Sequence, residues 1–211
     1  MANSAKIHLS EKEMALVTNS EWILDKQNVI RIVYDMFGIL NEEYRKQLTQ
    51  CDHLPITLRN DSGKIFKGEN YLGLPYVILD HPAHFSKTDV FAIRTMFWWG
   101  NYFSITLHVS GIYKDRINEG YSKVLELLKE KEFSICVNNE EWHHELSSEN
   151  YKPAIHINEE DSYNILAKTF FKAAISVPLN QWDKTISRLE AYFRDIIEIA
   201  CISYPSDEKG L

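Results

Sequence analysis

The sequence predicts an α+β fold: a mainly antiparallel sheet around a central hairpin at about 89–109, helices at the N-terminus and two long helices at the C-terminus. Three observations predict it. Apolar residues recur at helical spacing near both ends, as Trp22, Val29, Val33 and Met36 and again as Ile186, Leu189, Phe193 and Ile197. β-Branched and aromatic residues gather between those ends, in 90–98 and 102–109. No regular strand–helix–strand alternation and no internal repeat is present, which argues against a parallel α/β arrangement. Residues 1–211 are expected to form one domain, with 1–50 either integral to it or a helical appendage.

In chain order, Ser10-Glu11-Lys12-Glu13 has the form of a capping box and opens a short helix. Asn19 or Ser20 caps the next helix, which Gly38 is expected to end, and Asn41 then caps a third running to about Gln50. Residues 51–60 read as a connection containing Pro55, followed by an Asn60-Asp61-Ser62-Gly63 turn. Lys64 to Lys67 reads as a short edge strand, because lysines discourage pairing at a sheet edge. Gly68, Gly73 and Pro75 punctuate a loop; Pro75 to Asp80 is a strand, with Pro75 at its first position. His81-Pro82-Ala83-His84 then reads as a turn.

The hairpin register follows from which residues it aligns. A two-residue Gly100-Asn101 turn would pair Phe97 with Ser104 and Ile93 with His108, mixing polar and apolar groups on each face. A three-residue loop, Trp99-Gly100-Asn101, pairs Phe97 with Phe103, Thr95 with Ile105, Ile93 with Leu107 and Phe91 with Val109. A one-residue slip turns every side chain over, so the apolar match selects the longer loop. That loop also wants a left-handed residue, a place given to Asn101. The opposite face then carries Trp98 with Tyr102, Met96 with Ser104, Arg94 with Thr106 and Ala92 with His108.

Beyond the hairpin, Ile117, Tyr121, Val124, Leu125 and Leu128 mark an amphipathic helix, and Phe133 to Val137 a strand. Asn138 to Lys152 is polar and acidic and reads as a long loop or a hairpin excursion. Ala154 to Ile157 is a short strand candidate. Asn158 followed by Glu159, Glu160 and Asp161 is a helix start, with a cap and an acidic first turn. Tyr163, Leu166, Phe170, Ala173 and Val177 are its stripe, and Pro178 breaks it. Asn180 caps the last helix, and the tail from Ser203 to Leu211 is expected to fray.

The chain has 211 residues, 45% of them hydrophobic, and a net charge of −7. That supports a sizeable core and argues against disorder. The charge is uneven: residues 1–50 hold 6 basic and 7 acidic side chains, residues 51–111 hold 5 and 5, and residues 112–211 hold 12 and 18. No basic tract suits a nucleic-acid backbone, so no nucleic-acid partner is expected. No apolar run is long enough to span a bilayer and no secretory leader is visible, so no membrane partner is expected and the location is expected to be cytoplasmic. Cys51, Cys136 and Cys201 are odd in number and widely spaced, which fits a reducing compartment better than a disulfide framework. Cys136 and Cys201 read as small buried hydrophobes.

There is no P-loop, GxGxxG, GxSxG, HExxH or paired CxxC. The chemistry worth naming lies on the polar-aromatic face of the hairpin: Arg94, Thr106, His108, Trp98 and Tyr102 are the candidate ligand-binding residues. Arg94 supplies a fork for an anion, His108 a titratable imidazole, and Trp98 and Tyr102 an aromatic wall. This suggests a binding or interaction protein whose partner is a small anionic molecule, another protein or a second copy of the chain. The alternative is an enzyme acting on a small anionic substrate through Asp80, His81, His84, Arg94 and His108, with or without a metal. No cofactor is predicted; Asp80, His81, His84 and His108 are the residues a divalent metal could use. The neighbouring pair His143-His144 is a weaker candidate, because consecutive side chains diverge.

Overall fold

In the computed structural model, residues 7–202 are described. They form an α+β fold with a seven-stranded, wholly antiparallel sheet, in the order β1-β2-β3-β4-β7-β5-β6. The first four strands are β1 (Lys64–Tyr71), β2 (Leu74–Phe85), β3 (Val90–Trp98) and β4 (Tyr102–Ser110). The others are β5 (Ser134–Cys136), β6 (Tyr151–Pro153) and β7 (Phe170–Pro178).

The helices are α1 (Glu11–Thr18), α2 (Ser20–Thr49), α3 (Ile56–Arg59), α4 (Ile112–Glu119), α5 (Tyr121–Glu130), α6 (Glu159–Ala167) and α7 (Thr185–Ile202). Capping boxes start α1 at Ser10 and α6 at Asn158, and Asn19 caps α2 through Trp22 N–H. None of the residues of α1 is buried, and α2 enters the core only from Ile30 onward. The expected fraying of the tail concerns residues outside those described.

The sheet has two unlike faces. One is apolar and carries Val77, Leu79, Phe91, Ile93, Phe97, Phe103, Ile105, Leu107, Val109, Phe171 and Ala173, all packed under α2, α4, α5 and α7. The helices answer with Phe37, Leu40, Tyr44, Leu128, Leu189 and Phe193. Rings of Tyr44 and Phe193 stack at 3.7 Å, which joins α2 to α7 over the sheet. The polar group of Thr95 on this face is met by the Tyr44 hydroxyl at 3.0 Å, so no buried hydroxyl is stranded there.

The register of β3 and β4 is the one that aligns the apolar residues: Trp98 pairs with Tyr102, Phe97 with Phe103 and Phe91 with Val109 across a three-residue loop. The left-handed place in that loop falls to Gly100 at φ +75°, not to Asn101, because a residue without Cβ adopts it at no steric cost.

Several elements differ from the sequence expectation. Helix α2 runs through Gly38 without a break, since the apolar stripe continues through Phe37, Leu40, Tyr44 and Leu48 and outweighs one glycine. Asn41 is therefore mid-helix, and its side chain bonds His81 and the Ser62 carbonyl. The His81–His84 segment lies inside β2, where a bulge between Asp80 and Ala83 shifts the register. One amphipathic helix becomes α4 and α5, divided at Gly120, and the strand expected at 154–157 is a helical turn preceded by β6.

The largest difference lies at 158–178. The first of the two long C-terminal helices is only the nine-residue α6, and Phe170 to Pro178 is β7, paired along its length with β4. Residues 170–178 offer apolar groups at both helical and alternating spacing. Burial on both faces between β4 and β5 favours the strand.

Candidate functional site

The second face of the sheet is polar at its centre and aromatic at one end, and a strap of the chain, residues 138–150, lies over it. Arg94 is at the centre. Its Nε and Nη2 donate to the two carboxylate oxygens of Asp80, both at 2.8 Å, in a fork set by the direct pairing of Asp80 with Arg94 across β2 and β3. Its Nη1 donates to His144 Nε2 of the strap at 2.7 Å. Because guanidinium only donates, His144 Nε2 is the acceptor and its ring proton sits on Nδ1. That Nδ1 is buried and has no hydrogen-bond partner among the described residues.

Five further contacts tie strap side chains and backbone to the sheet. His108 Nε2 lies 2.8 Å from Glu141 Oε1. Lys172, buried on β7 directly beside His108, donates from Nζ to the Glu141 carbonyl at 2.9 Å and to the His143 carbonyl. The Tyr71 hydroxyl accepts from His144 N–H at 2.8 Å and the Tyr102 hydroxyl from Leu146 N–H at 2.7 Å. The strap backbone, which has no ladder of its own, thus has its polar groups met by side chains from β1, β4 and β7.

Electrostatics follow from enclosure. Burial, reinforced by the positive charges of Lys172 and Arg94, pushes the His108 imidazole down to about 3. Burial and the Arg94 charge push His144 down to about 2. Both rings are therefore neutral near pH 7, and His108 donates its Nε2 proton to the ionised Glu141 carboxylate. Burial lowers Lys172 to about 8, so it is still mostly protonated at neutral pH and able to donate to the two carbonyls. Burial raises Tyr102 to about 12 and raises Tyr71, which keeps both hydroxyls protonated.

The five residues expected to form a ligand site do share this face. Trp98 packs edge-on against Tyr102 at 5.6 Å and donates from Nε1 to the Tyr71 carbonyl at 3.2 Å. Thr106 pairs directly with Arg94, and His108 lies two positions further along β4. What fills the space in front of them is the strap. Of the residues considered for a metal, Asp80 and His108 lie on this face and His81 and His84 on the other. His81 bonds Asn41 of α2 at 2.6 Å, and His84 packs on Tyr113 of α4. Gly63 sits so close to His81 and Asn41 that a Cβ there would clash with both. Among the described residues, no group of three or more His, Cys, Asp and Glu is placed to hold a metal ion.

No family model, curated protein or solved structure matches the chain.

Sequence reasoning missed Glu141, His144, Lys172 and Tyr71 as members of this cluster. Lys172 had a readable signal in hindsight of the strand: the run Phe170 to Pro178 places a lone lysine among apolar residues. The strap's outer surface holds Glu140, Trp142, His143 and Glu149, all exposed. Trp142 is 55% exposed, yet its ring stands edge-on to buried His108 at 5.2 Å.

Proposed function

We propose that this chain is a cytoplasmic binding protein that presents the strap, residues 138–150, to a protein partner with a basic surface. One observation carries this reading. A dense set of polar groups on the sheet, the partly buried Arg94 on its buried partner Asp80, the neutral buried imidazole of His108 and the buried ammonium of Lys172, is committed to fixing a segment with little regular structure, and that segment holds an exposed tryptophan. Buried charges are costly, and a surface loop does not need them merely to connect two strands. Pre-set loops with an aromatic anchor lose little entropy on binding, and tryptophan is enriched among residues that dominate interface energetics.

Charge sets the class of partner. The strap contains Glu140, Glu141, Glu145 and Glu149 and neither lysine nor arginine. Such a patch steers a basic surface toward it and repels an acidic one. The polar-aromatic face of the hairpin is, in this reading, the platform behind the recognition surface.

The test compares capture from extract of the source cells by the wild-type chain and by Trp142→Ala. A basic protein retained by the first, released by moderate salt and weakened at least tenfold by the substitution is the expected result. Identical capture by both chains, or self-association that accounts for all binding, would overturn it.

A further inference from the structure

Cys51 and Cys201 are 150 positions apart in the sequence, yet their Sγ atoms lie 2.7 Å from each other, both as free thiols and both partly exposed. The approach is fixed by two packed helices. Tyr44 of α2 stacks on Phe193 of α7, the Tyr44 hydroxyl reaches the Leu189 carbonyl at 3.5 Å, and Gln47 Nε2 donates to the Glu190 carbonyl at 3.4 Å. These contacts hold the C-terminal part of α2 against α7. Cys51 follows the end of α2 with its N–H on the Leu48 carbonyl, and Cys201 is in the last turn of α7.

We infer that Cys51 and Cys201 are a redox-closable pair, a modification site at which a small-molecule disulfide joins the end of α2 covalently to the end of α7. The two sulfurs already meet at 2.7 Å, so closure to the bond length of about 2.05 Å asks for a sulfur approach of less than about 1 Å.

Chemistry in this pair is directional. The Cys201 thiol, together with the N–H groups of Leu54 and His53, pulls Cys51 down to about 6, while Cys51 and burial push Cys201 up. Cys51 is then the thiolate, and the thiolate is the nucleophile. It attacks one sulfur of oxidised glutathione, forming a mixed disulfide and expelling one glutathione thiolate. Cys201 loses its proton to solvent and attacks the Cys51 sulfur, expelling the second glutathione thiolate. Two protein thiols lose two electrons and one glutathione disulfide gains them. Cys136 takes no part: it is 3% exposed, lies on the strap side of the sheet and has its thiol directed to the Asn138 carbonyl.

The bond would close a loop holding the whole sheet and the strap. Long loops give the greatest restriction of the unfolded chain. In a reducing compartment it would be a reversible response to oxidation; in an oxidising one, a standing staple. The inference is independent of what the strap binds.

The experiment treats the purified full chain with oxidised glutathione and maps peptides without reduction. A Cys51–Cys201 cross-link is expected, with Cys136 still open to alkylation. The thermal midpoint should rise by roughly 10 °C and fall back on adding dithiothreitol. Cys136→Ser should keep that rise, and Cys51→Ser and Cys201→Ser should each lose it. Three alkylatable thiols after treatment, a glutathione adduct on Cys51 that never resolves, or a cross-link to Cys136 would each overturn the inference. If either serine variant fails to fold, the wild-type map still decides.

Discussion

The two faces of the sheet are both buried, but by different physics. The helix face is closed mainly by apolar groups, and the polar side chains inside it meet one another, Thr95 with Tyr44 and His81 with Asn41. The strap face is closed by a segment whose own side chains and backbone are held through charges and hydroxyls. Hydrophobic burial is non-directional and tolerates approximate partners, whereas a buried polar contact is favourable only with its specific partner in place. The first face should therefore fail in proportion to volume removed, and the second according to which partner is stranded.

The largest expected effect is on the helix face. Phe193→Ala removes a fully buried ring stacked on Tyr44 and should cost about 3–5 kcal/mol in urea denaturation; a midpoint equal to wild type would break the account of that face. On the strap face, Arg94→Met should cost about 3 kcal/mol, because the buried Asp80 carboxylate loses both hydrogen bonds of its fork. Here the partner rule gives a sharper check. Adding Asp80→Leu to Arg94→Met should return most of the loss, and a double variant no more stable than the single one would show that volume, not stranded charge, governs this face too.

Acid should load the strap face more heavily, with His108 and His144 both held down there against His81 on the helix face. His108 and His144 are held neutral far below the ordinary histidine value, so from about pH 6.5 downward the unfolded chain binds protons that the folded chain refuses. Stability is then present above pH 6.5 and lost as pH falls toward about 3 and about 2, by about 2 kcal/mol per histidine between pH 7 and pH 5. Glu141, whose carboxyl burial raises, acts in the opposite sense as pH falls into the carboxylate range. Denaturation curves at the two pH values measure this, and a slope unchanged in His108→Gln/His144→Gln would place the titration elsewhere. The smallest effect is at the outer surface of the strap. Glu140→Gln should change stability by no more than about 0.5 kcal/mol while weakening capture of a basic partner.

The same contrast explains what could be read in advance. Helix-face positions announce themselves by spacing, so Phe91, Ile93, Phe97 and their partners on β4 were legible together with the three-residue loop that aligns them. So was the polar-aromatic identity of the opposite face. Its cover was not legible, because contacts such as Arg94 to His144 and Lys172 to the Glu141 carbonyl join residues across 50 and 31 positions with no periodic trace. β7 escaped for a related reason: its apolar residues fit a helix until β4 is known to lie beside them. Cys51 and Cys201 show the same limit, since adjacency of helix ends is a tertiary fact.

The strand order carries a consequence for how the molecule assembles. Strands β1 to β4 pair with their neighbours in sequence, whereas β7 reaches β4 only after the chain has passed through 111–169. Short loops close quickly and long ones slowly, so the meander is the early-forming part and β7 a late addition. Because Lys172 arrives with β7, the strap has its full set of anchors only once that strand has docked. In the folded molecule the order runs backward: the strap is the unit that can open while the meander keeps its ladder, and amide exchange at His144 and Leu146 should report that partial opening long before exchange in β3 reports global unfolding.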